Sequence, residues 1–434
     1  MFPKITKNKY FVFIVIGILS FLGKIVGFVR ELVIANEFGT TLIADNLSLL
    51  LSIPTYVYLI IGGALSTSII IFANSKNNNS GFMKGLKTIY KHIGVASICL
   101  FLLILTIYFV YKDFIHPSIL VIYWSIPAYV FLSLRTSLFN MISKPVYPQI
   151  SLIIANVFFV ILIYLVPLDF FKWDIYVTFS LAFTLSTIIG WLSLLMMKAA
   201  FVTKEPVYIK PNKVEENEMT VKEFWGISLP IIFGGASLQI NNILQRMYAT
   251  HYEEGVVSAV NYSTKLVSIP QGMMLVGIGA MIFPLISRKI REGKLAYLKN
   301  LYSKLCVSLF VLFSIVAIIM FVYSELITKL VFMRGEFDLG SVSIVSDALG
   351  IYAFTIPLSI IMILQTRFLY GFKMQKAVNY VSLIFLVIIS TAVFYVFKST
   401  TSFLLIPYIN IGVLLIMVII FHVLLRNKLK TEQS

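Results

Sequence analysis

Four basic side chains stand inside apolar stretches of the sequence, where a charge needs a specific reason. They are Lys24, Arg30, Arg246 and Lys265. A charge at the centre of a bilayer costs about 2.5–3.5 kcal/mol on insertion scales, so four such residues indicate a water-filled cavity or counter-charges. Arginine offers forked donors to phosphate oxygens, and lysine offers a mobile point charge. We therefore predict that these residues bind an anion, and a phosphate group above all.

A structural role is the alternative for these cations. Arg30 and Arg246 would then reach the outer interface and pair with the nearby glutamates Glu31, Glu37, Glu253 and Glu254. Asp45 and Asn261 are expected to pair with a cation or cap a helix. Asp45 and Asp347 are the main acids near a helix interior. Because a proton-driven multidrug exporter needs paired carboxylates, this pattern favours an anionic cargo.

Two prolines interrupt apolar helices at equivalent places. Pro54 and Pro270 each remove one helix hydrogen bond, which kinks or loosens a helix. Gly63 lies in a small-residue cluster that follows Pro54. We predict that Pro54, Pro270 and Gly63 act as hinges during gating, while close helix packing is the alternative for the glycine.

The composition is that of a membrane protein. Of the 434 residues, 59% are hydrophobic and 12% are charged, whereas soluble chains carry about a quarter charged residues. The basic residues lie in alternate loops, so the net charge of +16 reflects membrane topology and not nucleic-acid binding. The histidines lack metal spacing and the chain lacks a nucleotide-binding motif. We expect no enzymatic activity, no metal and no cofactor. Movement of the anion would then be driven by the membrane potential or by an ion gradient.

Hydropathy predicts an all-α polytopic protein of about 12 transmembrane helices in two six-helix lobes around a central cationic cavity. The predicted domains are an N-terminal lobe at 1–200, a cytoplasmic linker at 201–222 and a C-terminal lobe at 223–434. The predicted spans are 10–36, 42–73, 90–111, 118–142, 147–167, 175–198, 223–250, 256–286, 303–323, 342–370, 376–397 and 402–425. The first span is expected to be retained and not cleaved as a signal peptide.

The two halves repeat each other. A shift of 216 positions lays the segment 30–54 on the segment 246–270 without a gap. Arg30 then meets Arg246, Gly39 meets Gly255, and Ser52-Ile53-Pro54 meets Ser268-Ile269-Pro270, while Gly63-Ala64 meets Gly279-Ala280. A later match of Ser151-Leu152 with Ser382-Leu383 needs a shift of 231. An even number of spans in each half makes these parallel repeats, which in transporters bracket a central site.

The basic residues also predict the orientation of the chain. Roughly two dozen lie on one side of the predicted spans, and the other side holds only Lys112, Lys172, Lys329, Arg334 and Lys398. Both termini are therefore expected on the cytoplasmic side of the membrane.

Several motifs resemble those of the MurJ/MviN lipid II flippase family, within the multidrug/oligosaccharidyl-lipid/polysaccharide exporter superfamily. They occur in order along most of the chain: G-F-V-R-E from Gly27, G-A-L-S from Gly63, N-Y-S-T-K-L from Asn261, F-P-L-I-S from Phe283 and L-V-F-M-R-G-E-F from Leu330. The resemblance implies alternating access by two lobes. It also implies movement of an undecaprenyl-diphosphate-linked cell-wall precursor, lipid II, from the inner to the outer leaflet.

The resemblance assigns site residues one by one. Lys24 stands where the family motif has arginine, Arg30 matches its arginine, and Lys265 stands at the arginine of a Y-A-D-R-L motif. These residues are expected to contact the diphosphate, and Arg246 joins them on the strength of the internal repeat alone. The partners expected for such a role are the polyprenyl-diphosphate-linked glycan, membrane lipids and envelope-assembly proteins.

The sequence departs from the family pattern in three ways. Tyr56 and Tyr58 stand where basic residues usually follow the span-two proline, Gly62 replaces an acid, and the two C-terminal helices of the family are not found. Three alternatives therefore stay open: another polyprenyl-linked polysaccharide unit as cargo (Wzx-like), a cation-coupled small-molecule antiporter on the same fold, or a non-transporting scaffold.

Overall fold

The computed structural model describes residues 9–74, 79–113, 115–141, 144–165, 174–201, 220–277, 282–372, 374–397 and 402–431. Their regular structure is entirely helical. The helices are α1 (Lys9–Phe38), α2 (Leu42–Asn74), α3 (Asn79–Val110), α4 (Ser118–Tyr123), α5 (Ser125–Met141), α6 (Val146–Leu165), α7 (Ile175–Phe201), α8 (Val221–Ala249), α9 (Val256–Gly277), α10 (Phe283–Arg291), α11 (Leu295–Val322), α12 (Ser324–Phe332), α13 (Leu339–Ala353), α14 (Thr355–Gly371), α15 (Gln375–Phe397) and α16 (Leu405–Thr431).

These helices confirm the all-α, multi-pass prediction. Within the described residues, 7 spans are long and apolar enough to cross a membrane, and α13 with α14 makes an eighth that is bent by 40°. The helices α3 and α11 expose much of their apolar surface, as expected where a helix faces lipid. By contrast α8 and α9, which carry Arg246 and Lys265, are not among the seven.

Three predicted spans are each divided into two helices. The span predicted at 118–142 is α4 and α5, which are separated at Trp124, and the span at 342–370 is α13 and α14, separated at Phe354. In both places a proline lies three residues past the break, at Pro127 and Pro357. Its ring excludes the carbonyl four residues back, so the preceding helix ends at that carbonyl. The span predicted at 256–286 comprises α9 and the first four residues of α10.

The two breaks are built alike, which extends the internal repeat. Ser125-Ile126-Pro127 and Thr355-Ile356-Pro357 start the second helix of each pair and lie 230 positions apart. The Ser125 hydroxyl donates to the Ile122 carbonyl at 2.6 Å, and the Thr355 hydroxyl donates to the Tyr352 carbonyl at 2.6 Å. Each hydroxyl thereby bonds one of the last carbonyls of the helix before the break, where helix carbonyls have no partner within the helix.

The turns after α1 and α8 also repeat. Gly39 follows α1 with φ of 53°, and its repeat partner Gly255 precedes α9 with φ of 92°. Both values lie in the left-handed region, which glycine enters without strain. An added Cβ would lie 2.5 Å from the Glu336 carbonyl oxygen at Gly39 and 2.4 Å from the Thr40 carbonyl oxygen at Gly255. Glycine is therefore required at both positions by conformation and by space.

The chain divides into two compact units. The first comprises Met1–Arg30 and Leu49–Gln239, and the second comprises Glu31–Ser48 and Ile240–Ser434. The second unit thus includes the end of α1 and the start of α2. The predicted lobes at 1–200 and 223–434 stay a prediction, and most of the predicted linker at 201–222 lies outside the described residues, as does Gly279-Ala280.

The first unit is held together by an aromatic core. Phe72 on α2 contacts Phe82 on α3 and Phe224 on α8, with ring centroids 6.0 and 5.6 Å apart. Helices α6 and α7 approach closely where Ser151 donates to the Gly190 carbonyl. A Cβ at Gly190 would lie 2.9 Å from that of Ala155, so a small residue permits this approach.

The second unit is centred on α9 and α13. Val345, Ala348 and Leu349 of α13 are fully buried, and the Ser263 hydroxyl of α9 donates to the Val345 carbonyl at 3.0 Å. The buried ring of Tyr262 contacts Phe332 and Phe337, which flank the M-R-G-E turn, at 5.1 and 6.0 Å. This turn and its two phenylalanines account structurally for the L-V-F-M-R-G-E-F motif.

Candidate functional site

A buried polar cluster lies in the second unit, where the end of α1 and the start of α2 meet α8 and α9. We name it the Glu31 cluster, and its members are Glu31, Ser48, Arg246, Asn261 and Lys265. Arg246 Nη2 donates to Asn261 Oδ1 at 2.7 Å, and Asn261 Nδ2 donates to Glu31 Oε2 at 2.8 Å. Lys265 Nζ lies 3.2 Å from Glu31 Oε1. Three residues predicted for the site are therefore brought together.

Asn261 is the geometric centre of this cluster. It is 1% exposed and also donates to Ser48 Oγ at 3.2 Å. Its amide oxygen accepts a hydrogen bond from Arg246, and its amide nitrogen donates to Glu31 and Ser48. This pattern of donors and acceptors fixes the orientation of the amide. A neutral amide thus links a buried arginine to a buried glutamate.

The charges of the cluster leave an excess of one cation. Glu31 and Arg246 are 4% and 7% exposed, whereas the side chain of Lys265 is 30% exposed. Burying an ion pair is costly unless its polar atoms are well bonded, which explains the number of hydrogen bonds here. Lys265 is the cation that solvent or a ligand can reach, so the arrangement suits the binding of an anion by exchange for Glu31.

Asp45 caps α9 from another helix. Its Oδ2 accepts from the Gly255 N–H at 2.8 Å, and its Oδ1 accepts from the Ser258 N–H at 2.7 Å. A carboxylate at a helix N-terminus satisfies amides that have no partner within the helix and interacts favourably with the helix dipole. The expected capping role of Asp45 thus corresponds to a contact within the second unit, on α9 instead of on its own helix.

Arg30 lies in an aromatic setting in the first unit. Its guanidinium carbon is 5.3 Å from the centroid of Phe183 and 6.0 Å from that of Phe159, and the residue is 8% exposed. Such cation–π contacts stabilise a desolvated cation. Lys24 lies further back on α1 and is exposed. The meeting of Lys24 and Arg30 with Arg246 and Lys265 in one cavity stays a prediction.

The predicted hinges lie on continuous helices. Pro54 is buried within α2, and Pro270 is half-buried within α9. Gly63 is exposed on α2, and a Cβ added there would have no heavy atom within 4 Å. Close packing therefore does not require glycine at position 63, and the hinge role of the three residues stays a prediction.

Glu31 is the member of the site that sequence reasoning underrated. It was expected at most as a surface partner for Arg30 or Arg246, yet it is buried and bound to Lys265 and Asn261. The available signal was its position directly after Arg30 in a segment whose second copy carries Met247 instead. A single carboxylate beside several buried cations is a reason to look for an ion pair.

No group of three or more His, Cys, Asp or Glu side chains that could hold a metal ion occurs among the residues that the structure describes. Cys99 and Cys306 are both free cysteines. Within the described chain, the chemistry of the site is thus the charge and hydrogen bonding of the Glu31 cluster.

Comparison with known proteins gives consistent matches. The family model described as "Lipid II flippase MurJ" matches residues 34–434. A probable lipid II flippase MurJ of Buchnera aphidicola is 23% identical over 78% of this chain and 68% of its own length. The protein of the same description from Rickettsia prowazekii is 22% identical over 82% of this chain and 72% of its own length. One from Rhizobium meliloti is 29% identical over 32% of this chain and 25% of its own length.

Solved structures show the same fold. A lipid II flippase MurJ in an inward closed conformation has a TM-score of 0.74 and 18% identity, covering 94% of this chain and 86% of that chain. An inward-facing multidrug resistance transporter of the MATE family has a TM-score of 0.65 and 13% identity, covering 96% and 95% of the two chains. The predicted transporter fold is thereby confirmed.

Proposed function

Because this chain belongs to the lipid II flippase MurJ family, we propose that it moves lipid II, an undecaprenyl-diphosphate-linked cell-wall precursor, from the inner to the outer leaflet by alternating access. The observation that supports this function is the Glu31 cluster, in which cations outnumber carboxylates inside a membrane protein. A diphosphate is the anionic part of such a cargo, and a forked guanidinium with a mobile ammonium suits its oxygens.

The proposed binding step is an exchange of partners at Lys265. Lys265 Nζ lies 3.2 Å from Glu31 Oε1. A diphosphate that enters the site replaces Glu31 as the partner of the Lys265 ammonium, while Glu31 still accepts the hydrogen bond from Asn261. Arg246 stays positioned by Asn261 and adds its charge to the site. Lys24 and Arg30 are proposed to hold the same diphosphate, as their motif positions imply.

The proposed energy source is the membrane potential. An inside-negative potential favours outward movement of an anion by about 2.3 kcal/mol per charge per 100 mV, less whatever charge the moving cations cancel. We place the protein in the bacterial cytoplasmic membrane with both termini inside, and we assign it transport without catalysis. Its partners are the lipid-linked precursor and the membrane lipids around it.

Complementation tests this function. In a strain depleted of its own lipid II flippase, the chain should restore growth and prevent intracellular lipid II from accumulating. Lys265→Ala should lose this activity by more than tenfold, because the exchangeable cation is gone, and Lys265→Arg should retain part of it. Lys294→Ala removes an equally charged but 59% exposed side chain and serves as the matched control.

Two results would contradict the proposal. If the chain is inserted but lipid II still accumulates, while another polyprenyl-linked glycan is cleared, the cargo is that glycan. If Lys265→Ala and Lys294→Ala complement equally well, the Glu31 cluster does not bind the diphosphate.

A further inference from the structure

A further intramembrane arginine lies outside the Glu31 cluster. Arg135 is on α5 within the span Ser118–Met141, in the first unit. Its Nε is buried and has no hydrogen-bond acceptor, and its guanidinium carbon lies 5.7 Å from the centroid of Tyr90. Within the described chain, no carboxylate forms an ion pair with it. A cation held this way in an apolar span is costly unless something outside the chain satisfies it.

Two neighbouring side chains also carry a buried hydrogen-bond donor without a partner. Tyr90 Oη and Trp191 Nε1 are buried without a hydrogen-bond partner among the described residues. Phe131 joins them, stacking on Tyr90 at 5.6 Å and contacting Trp191 at 5.7 Å. The guanidinium, the phenol and the indole are all hydrogen-bond donors. A cluster of donors with one positive charge lacks an acceptor, and that acceptor should be anionic.

At the equivalent place in the second unit, the polar side chains hydrogen-bond to one another. The offset of 230 between the S-I-P and T-I-P segments carries Arg135 onto Gln365, and the offset of 231 carries Trp191 onto His422. Tyr302 Oη lies 2.9 Å from His422 Nδ1, and Gln365 Nε2 donates to Tyr302 Oη at 3.1 Å. Among Tyr302, Gln365 and His422, Gln365 Oε1 is the one buried polar atom without a hydrogen-bond partner. The first copy differs because its groups donate and carry a charge.

We propose that Arg135, Tyr90 and Trp191 form a second anion site, which binds the phosphate group of an amphiphile in the inner leaflet. Arg135 is six residues before the end of α5 at Met141, or about 9 Å along the helix. Lys144 follows that end, on the side that the basic residues assign to the cytoplasm. All three site residues are half-buried, so part of each side chain is exposed, and a headgroup has to displace some of the surrounding packing to reach the buried donor atoms. A phospholipid and a polyprenyl diphosphate offer the same phosphate chemistry.

Native mass spectrometry of the detergent-purified full chain tests this site. The titrated lipids are phosphatidylglycerol, undecaprenyl diphosphate and, as an uncharged reference, diacylglycerol. Arg135→Gln should weaken binding of at least one phosphate lipid about tenfold, as expected for the loss of charge-assisted hydrogen bonds, and leave diacylglycerol unchanged. Lys144→Gln removes one positive charge at the same end of α5 and should stay within twofold of the wild type.

The lipid arms identify the source of the phosphate. Loss of phosphatidylglycerol binding supports a structural lipid site, and loss of undecaprenyl diphosphate binding alone supports an additional cargo contact. The double variant Tyr90→Phe with Trp191→Phe keeps both rings, removes two donors and should bind several-fold more weakly than the wild type. Equal affinities of Arg135→Gln, the double variant and the wild type for both phosphate lipids would overturn the site. This readout does not depend on flipping, so it is independent of the proposed function.

Discussion

At the scale of residues, the buried carboxylate of Glu31 changes the interpretation of the predicted basic residues. Lys24, Arg30, Arg246 and Lys265 were recognisable from the sequence because charges are rare in apolar segments. Glu31 was harder to place, because its hydrogen-bond partner Asn261 on α9 lies 230 residues later in the chain. Residue type and local hydropathy thus predict that a charged site exists, but not which charges neutralise each other.

A second residue-scale feature predicts a dependence on pH. Asp338 is the N-cap of α13, and its Oδ1 accepts from the Ser341 N–H at 2.8 Å. This hydrogen bond lowers the pKa of the Asp338 carboxyl below its usual value. The cap therefore stabilises fully above the ordinary aspartate pKa and is lost as the pH falls through the lowered one. Asp338→Ala should cost about 1 kcal/mol at pH 7.

Thermal unfolding at pH 7 and at pH 3 checks this prediction. Asp338→Asn keeps an acceptor without a titratable proton, so it should melt near the wild type at pH 7 and lose less stability on acidification. An Asp338→Ala melting temperature equal to the wild type at pH 7 would show that the cap contributes nothing.

At the scale of elements, the internal repeat also includes the two helix breaks, and the sequence contains the signal for them. The sequence contains both S-I-P and T-I-P, and a proline three residues into a helix predicts the breaks at Trp124 and Phe354. Long apolar runs conceal such breaks because hydropathy is averaged over a whole span. The broken helices matter for function, since α5 carries Arg135 and α14 carries Gln365.

The turn between α12 and α13 gives a test at this scale. Gly335 has φ of 55°, and an added Cβ would lie within 2.2 Å of the Asn36 carbonyl oxygen. Gly335→Ala therefore adds a backbone clash to the strain of a left-handed alanine and should lower the melting temperature markedly. Gly293→Ala is the matched control, because Gly293 has φ of 67° but open space around its Cβ position.

Comparison of the two alanine variants separates the clash from the strain. The left-handed conformation alone costs alanine about 1–2 kcal/mol, so Gly293→Ala should show only that loss in a thermal melt. If both variants melt at the same temperature, the clash of the added Cβ with the Asn36 carbonyl in α1 adds no measurable cost to the left-handed strain.

At the scale of the whole molecule, composition was sufficient for the class of protein, and hydropathy with the internal repeat was sufficient for the helical transporter fold. The division into compact units was not, because it places Glu31–Ser48 with the second half of the chain. Nothing in the hydropathy of α1 and α2 indicates which end of each helix belongs to which unit. Side-chain contacts between distant segments decide that, and a single sequence does not display them.

The proposed orientation is testable on intact cells. After replacement of Cys99 and Cys306 by serine, Arg334→Cys in the turn after α12 should react with a membrane-impermeant maleimide from outside. Lys294→Cys, in the turn after α10, should react only after permeabilisation, because the basic residues assign it to the cytoplasm. The opposite labelling pattern would invert the topology and with it the proposed direction of transport.

The position of Glu31–Ser48 in the second unit has a consequence for biosynthesis. Glu31 and its partner Asn261 are separated by 230 positions, and a ribosome adds about 5–20 residues per second. The nascent chain therefore carries this glutamate for roughly 10–45 s before its partner has been made. The first two helices must therefore be inserted into the membrane and protected from membrane proteases before α8 and α9 have been made. Their folding is completed only after α8 and α9 are inserted. Mutations in the second half of the gene should therefore also arrest the maturation of the first helices.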